Sequence, residues 1–138
     1  MSWVGYAVLS AVFASATAIL AKVGVQGIPS NLATAVRTVV VLIFAWGIVF
    51  ARGEHAALAS VSRRSLIFLV LSGLATGASW LAYYRALQLG PASRVAPIDK
   101  ASLALTVTLA WLLLGETVTW RVAGGTALIV VGALLTMG

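Results

Sequence analysis

The sequence predicts an all-α integral membrane protein with five transmembrane helices, and three observations carry that expectation. Of the 138 residues, 62% are apolar and 9% are charged, whereas an ordinary soluble domain carries about 25% charged residues. A chain of this length folded in water would still have to cover most of its surface with groups that water accepts. The apolar residues fall into five blocks, each close to the roughly 20 residues a helix needs to cross the hydrocarbon core. Short turn signals such as "GIPSN" and "LGPAS" separate them, as expected of helical hairpins.

The first block, 3–21, reads "WVGYAVLSAVFASATAILA". Its Ala14-Ser15-Ala16 mimics a signal-peptide cleavage site, but no basic region precedes it, so it is expected to stay as a helix. The second block, 31–51, follows Pro29, with Ser30 or Asn31 placed to cap it. The third, 66–88, follows "ARGEHAALASVSRR", the longest polar connection and still too short for a second domain. The fourth, 93–114, follows a Gly90 stop, Pro91 and a Ser93 cap. The fifth, 118–137, carries Gly124, Gly125 and Gly132 and no ionisable residue from Val122 onward, which reads as a packing helix. Gly73 and Gly77 form a GxxxG step in the third block, a pattern that permits close helix approach. Residues 1–138 are thus read as one five-helix domain.

Several classes are excluded. There are no cysteines, so disulfides and thiolate metal sites are unavailable. The single histidine, His55, lies in a polar loop without neighbouring ligands, so no metal site is expected. No nucleophile–base pair or nucleotide loop points to an enzyme, and no cofactor or nucleic-acid partner is expected. The basic residues are nearly balanced between the two sides of the membrane once those at its edge are counted. On that count the chain inserts both ways; when only the true loop charges are counted, the 52–64 loop fixes the first side in the cytoplasm, and charge counting favours neither reading.

The charges inside the blocks raise the chain above an anonymous bundle. Arg37 lies about 9 Å into the second helix, and Asp99 and Lys100 about 9–10 Å into the fourth, at 1.5 Å per residue. Arg85 lies near the end of the third, so all four approach the same side. A charge in hydrocarbon costs several kcal/mol unless paired or wetted, which favours a shared cavity. Three bases against one acid leave a positive surplus suited to an anion or to the carboxylate of a zwitterion. Two structural alternatives stand beside this. Pro97 opens a shorter fourth helix whose N-terminus Asp99 complements, or Arg85 and Lys100 snorkel to headgroups. Asp99, Ser102 and Thr106 follow i, i+3, i+7 and share a face; they form either a hydrophilic path or hydroxyls bonded back to the backbone. Trp80 and Tyr84 share a face of the third helix, as a cavity lining or an interfacial belt.

The stretches "NLATAVRTVVVL", "YYRALQLGPASRVAPIDKASLALTVTLAWLLLGE" and "GGTALIVVGALL" together resemble the EamA domain of the drug/metabolite transporter superfamily, particularly its small five-helix bacterial and archaeal members. The order of the Tyr84-Arg85-Ala86-Leu87 step, "PAS" at 91–93, Gly115-Glu116 and the glycine-rich last helix carries the likeness, which covers essentially the whole chain. Arg37 matches the arginine the family tends to carry early in its second helix, while "PIDK" departs from a commoner, more apolar pattern.

The resemblance implies a multi-pass protein of the cell's inner membrane, with a central cavity lined mainly by the first four helices. Larger relatives carry two five-helix halves. Because five is odd, consecutive halves are inverted, as alternating access requires. A single half is therefore expected to work as an antiparallel homodimer, with a heteromeric partner as the alternative. The expected function is secondary transport of a small anionic or zwitterionic metabolite bound by Arg37, Trp80, Tyr84, Arg85, Asp99, Lys100, Ser102 and Thr106. A multidrug or cation exporter and a non-transporting accessory subunit are the alternatives.

Overall fold

The structure, a computed structural model, describes residues 2–138; Met1, first in the expected 1–138 domain, lies outside the described residues. The described chain is helical throughout: α1 Trp3–Gly24, α2 Ser30–Ala51, a short 3₁₀ helix Glu54–Ser60, α3 Arg63–Leu89, α4 Ala92–Lys100, α5 Ser102–Leu114 and α6 Trp120–Leu135. Four stretches are long and apolar enough to cross a membrane, namely α1, α2, α3 and the pair α4–α5 taken together as Ala92–Leu114. These fall on the first four expected blocks, with α1 and α3 extending beyond them.

The last helix differs from expectation. The 118–137 span contracts to 16 residues, about 24 Å at 1.5 Å per residue against a core of about 30 Å. Its start is set by Thr119, which stays extended and whose side chain accepts from the Val122 N–H at 3.3 Å. That is an N-cap signal at Thr119, one residue inside the block that hydropathy alone marks out. The described residues thus hold four helical stretches long and apolar enough to cross a membrane and one shorter apolar helix.

Helix starts are also set differently from the sequence reading. Pro29 and Pro91, rather than Ser30, Asn31 or Ser93, occupy the N-cap positions, and neither helix has a side-chain cap bond. Each proline holds an extended conformation and offers its carbonyl to the first turn, as in Ala33 N–H to Pro29 O at 3.1 Å and Val95 N–H to Pro91 O at 3.1 Å. Pro97 lies inside α4, so it does not open a shorter helix there. The ladder instead tightens just beyond it, where Ala101 N–H bonds Ile98 O at 3.0 Å and Ala104 N–H bonds Ala101 O at 3.1 Å. These i to i−3 bonds are 3₁₀ geometry and mark the junction between α4 and α5. Gly115 ends α5 at φ 67°, a left-handed position that a side chain would strain, which gives the Gly115-Glu116 step its physical reason.

The chain divides into two compact units, Val23–Gln88 on one hand and Met1–Lys22 with Leu89–Gly138 on the other. In the second of these, α6 packs against α4 and α5. Lys22, at the last turn of α1, donates from Nζ to the Gly90 carbonyl at 2.9 Å. In the Val23–Gln88 unit, Val25, Ala33, Tyr84 and Leu87 are buried along with Ser30 and Thr34. All lie in the turn before α2, its first turns, or the last turns of α3, so this unit's core sits at one end. Elsewhere most large apolar side chains are exposed, as expected where the medium is itself apolar and drives no burial between helices. Gly73, Gly77, Gly124, Gly125 and Gly132 have nothing within 4 Å of where a Cβ would stand. Within one chain they are open surface, not the close helix contacts the GxxxG spacing suggests.

This distribution makes a prediction. Leu87 is 0% exposed and Leu74, on the same helix, 67%. Leu87→Ala should lower stability by about 2–4 kcal/mol through the lost contacts and cavity, while Leu74→Ala should leave it nearly unchanged. Reversible unfolding in mixed micelles checks both, and equal losses would contradict the placement of the core.

Candidate functional site

The site is built on two helices of the Val23–Gln88 unit. On α2, Ser30, Thr34, Arg37 and Thr38 recur at i, i+4, i+7 and i+8, which puts them on one face. The hydroxyls on that face are satisfied along the helix: Thr34 Oγ1 donates to Ser30 O at 3.0 Å and Thr38 Oγ1 to Thr34 O at 2.8 Å. Arg37 is different, because a guanidinium carries five N–H donors that no single backbone carbonyl satisfies. On α3, Trp80 and Tyr84 follow at i and i+4 and present one aromatic face.

The two faces meet at Arg37. Its guanidinium carbon stands 4.0 Å from the centroid of the Trp80 ring and 5.7 Å from that of Tyr84, within the ~6 Å reach of a cation–π contact. Arg37 and Trp80 are half-buried and Tyr84 is buried. The sole carboxylate among residues 23–88 is Glu54, and it pairs with Arg52 at 2.6 Å in the exposed loop. No acid of this unit neutralises Arg37. A guanidinium held over an aromatic ring keeps its charge, and its N–H donors are not consumed by the ring.

The other expected site residues are placed as follows. Arg85 is exposed and donates from Nη1 to Gln88 Oε1 at 3.0 Å. Gln88 in turn donates from Nε2 to the carbonyls of Val25, at 3.2 Å, and Ile28, at 2.7 Å. In the other unit, Lys100 Nζ stands 3.3 Å from Asp99 Oδ2, with side chains 56% and 36% exposed. Neighbours in sequence diverge around a helix, so this exposed pair is weak. Ser102 and Thr106 are exposed, and Thr106 Oγ1 donates to Ser102 O at 3.1 Å, the back-bonded alternative. The i, i+3, i+7 spacing of Asp99, Ser102 and Thr106 crosses the tightened junction at Ala101 and does not follow one regular helix. The structure thus unites Arg37, Trp80 and Tyr84, joins Asp99 to Lys100, and assigns the two sets to separate units.

Sequence reasoning read Ser30 only as a helix cap and did not single out Thr34 and Thr38, although the i, i+4, i+8 spacing that puts all three on the face of Arg37 was a readable signal. It also missed Gln88, whose partners are turn carbonyls that no spacing rule reveals. Among the described residues no group of three or more His, Cys, Asp or Glu could hold a metal ion. An open groove of about 800 Å³ runs between α5 and α6, lined by Val107, Trp111, Ala123, Ala127 and Val130 among others. It is apolar and contains none of the expected site residues, so its size carries less weight than the chemistry at Arg37.

Comparison with known proteins agrees with a membrane transporter. The model of a family described as "EamA-like transporter family" matches residues 1–138. A Sinorhizobium sp protein described as "Uncharacterized transporter in cobO 3'region" is 51% identical over 134 residues, which is 97% of this chain and 95% of that protein. No solved structure matches the chain.

The stack is testable without a substrate. A double-mutant cycle of Arg37→Gln and Trp80→Leu, read by unfolding in mixed micelles, should give a coupling of about 0.5–2 kcal/mol. A cycle of Asp99→Asn and Lys100→Gln should give less than about 1 kcal/mol. Additivity at Arg37 and Trp80 would contradict the contact.

Proposed function

The chain belongs to the EamA-like transporter family, and from that membership we propose that it is a secondary transporter of a small anionic or zwitterionic metabolite in the cell's inner membrane. The observation that carries the substrate charge is Arg37, stacked on Trp80 and without an acid in its own unit. A carboxylate or phosphate approaching in the guanidinium plane gains charge-assisted, bidentate hydrogen bonds while the aromatic face stays stacked. Each such bond to a charged group contributes about 1.5–3 kcal/mol. Tyr84, buried beside the ring, restricts where the guanidinium can move and so presents its edge in one direction.

Transport needs a second half. With the shorter α6 crossing as well, one copy has an odd number of spans, and set against an inverted copy it reproduces the inverted-repeat arrangement on which alternating access rests, so the working form is an antiparallel homodimer. The near balance of basic residues between the two sides permits insertion both ways. In that assembly each copy brings one Arg37, and the substrate passes from one positive site to its inverted counterpart as the halves rock. Asp99, Lys100, Ser102 and Thr106, all on the surface of their own unit or near it, are the groups that line the path of such a dimer. A lipophilic-cation exporter would hold its substrate on an open aromatic face, and here Arg37 already covers Trp80.

Purified protein in proteoliposomes tests this directly with a panel of labelled small carboxylates, phosphates, zwitterions and lipophilic cations. Wild type should accumulate anions or zwitterions, and Arg37→Gln should cut that uptake about 10-fold or more, the loss of one charge-assisted bond. Uptake of lipophilic cations alone, unchanged by Arg37→Gln, would overturn the proposal.

A further inference from the structure

The last turn of α3 holds a side chain whose hydrogen bonds reach away from its own helix. Gln88 Nε2 donates to Ile28 O at 2.7 Å and to Val25 O at 3.2 Å, while its Oε1 accepts from Arg85 Nη1 at 3.0 Å. The amide orientation is fixed by these partners: a flipped amide would set oxygen against two carbonyl oxygens and nitrogen against a cation. Val25 and Ile28 flank Gly27, whose φ of 75° turns the chain between α1 and α2. Their carbonyls point out of a non-helical turn, where an unsatisfied carbonyl at the edge of an apolar medium is costly. Val25, which carries one of the accepting carbonyls, and Leu87, next to Gln88 in sequence, are 1% and 0% exposed.

We infer that Gln88 is a positioning residue for Arg37: it anchors the start of α2 to the end of α3 and so sets the guanidinium over the Trp80 ring. The lengths match. Arg37 is seven residues beyond Ser30, where α2 begins, and Trp80 is eight residues before Gln88, about 10–12 Å in each direction at 1.5 Å per residue. The two helices leave the anchor side by side, and Arg37 meets Trp80 two turns on. Trp80, Tyr84 and Gln88 form one i, i+4, i+8 face, so the element that carries the ring also carries the anchor. Backbones of α2 and α3 are bridged by long side chains rather than by close approach, and a slip of one residue at the anchor would displace Arg37 by about 1.5 Å. Arg85, which is exposed, uses one of its five donors on Gln88 Oε1 and so orients that amide.

The inference rests on reading Arg37 as the substrate-binding base, but it is tested at the ring itself. Trp80 is labelled with 5-fluorotryptophan in a protein whose Trp3, Trp46, Trp111 and Trp120 are replaced by Phe, and its fluorine resonance is recorded in nanodiscs. Arg37→Gln defines the unstacked shift. Gln88→Leu, and Gln88→Glu at neutral pH, should move the resonance toward that value, and either combined with Arg37→Gln should add nothing further. Lowering the pH should return the Gln88→Glu resonance part of the way, because the protonated carboxyl regains one donor, while the parent protein shows no such return. An unmoved resonance in both Gln88 variants would overturn the inference, as would loss of helical content in both, which would assign Gln88 to global folding. A proteoliposome assay without anion uptake leaves these shifts intact, so failure here and failure of the transport proposal are separately visible.

Discussion

The stacking of Arg37 on Trp80 is the interaction from which the functional reading follows. A permanent charge two turns into an apolar helix demands compensation, and the Val23–Gln88 unit offers no carboxylate for it. The protein answers with an aromatic face, which attracts the cation through its quadrupole and shields one side from the apolar medium. Cation–π attraction leaves the net charge in place. In the proposed function that retained charge is what draws an anion to the half-buried Arg37. Around it the buried residues of the unit gather at the same end, with Val25 and Leu87 sealing the turn and Tyr84 backing the ring.

Much of the fold is legible in the sequence because hydropathy and length act over whole blocks. The first four spans needed only the apolar runs and the Pro-containing turns between them. The details that failed are those set by single hydrogen bonds. Thr119 shortens the last helix by capping it. Pro29 and Pro91 take positions where serine was expected, because an extended proline supplies the first carbonyl of the helix without a side-chain cap. Pro97 is tolerated inside α4, and the strain-free adjustment is a local tightening at Ala101. The glycine faces failed for another reason: GxxxG spacing records the capacity for close approach, and within a single chain no helix uses it at Gly73 or Gly77.

The site was legible in part, and the dividing line is physical. Arg37, Trp80 and Tyr84 could be chosen because an isolated charge and a shared aromatic face are visible in spacing alone. Asp99 and Lys100 looked like the counterpart of Arg37 from their depth in the fourth block. Sequence depth fixes height along a helix and says nothing of azimuth; within their own unit these two residues lie 3.3 Å apart. Gln88 was invisible because a lone glutamine at a helix end has no pattern. Its partners are backbone carbonyls of a turn 60 residues or more away in the chain.

Nitrogen-15 spectra of the Arg37 side chain, assigned by comparison with Arg37→Gln in nanodiscs, give the most direct measurement of the central claim. Titration with acetate and benzoate should shift the Arg37 Nε–H resonance in a saturable way, with tetraphenylphosphonium leaving it in place. A resonance indifferent to both carboxylates, or one that responds to tetraphenylphosphonium alone, would contradict the account.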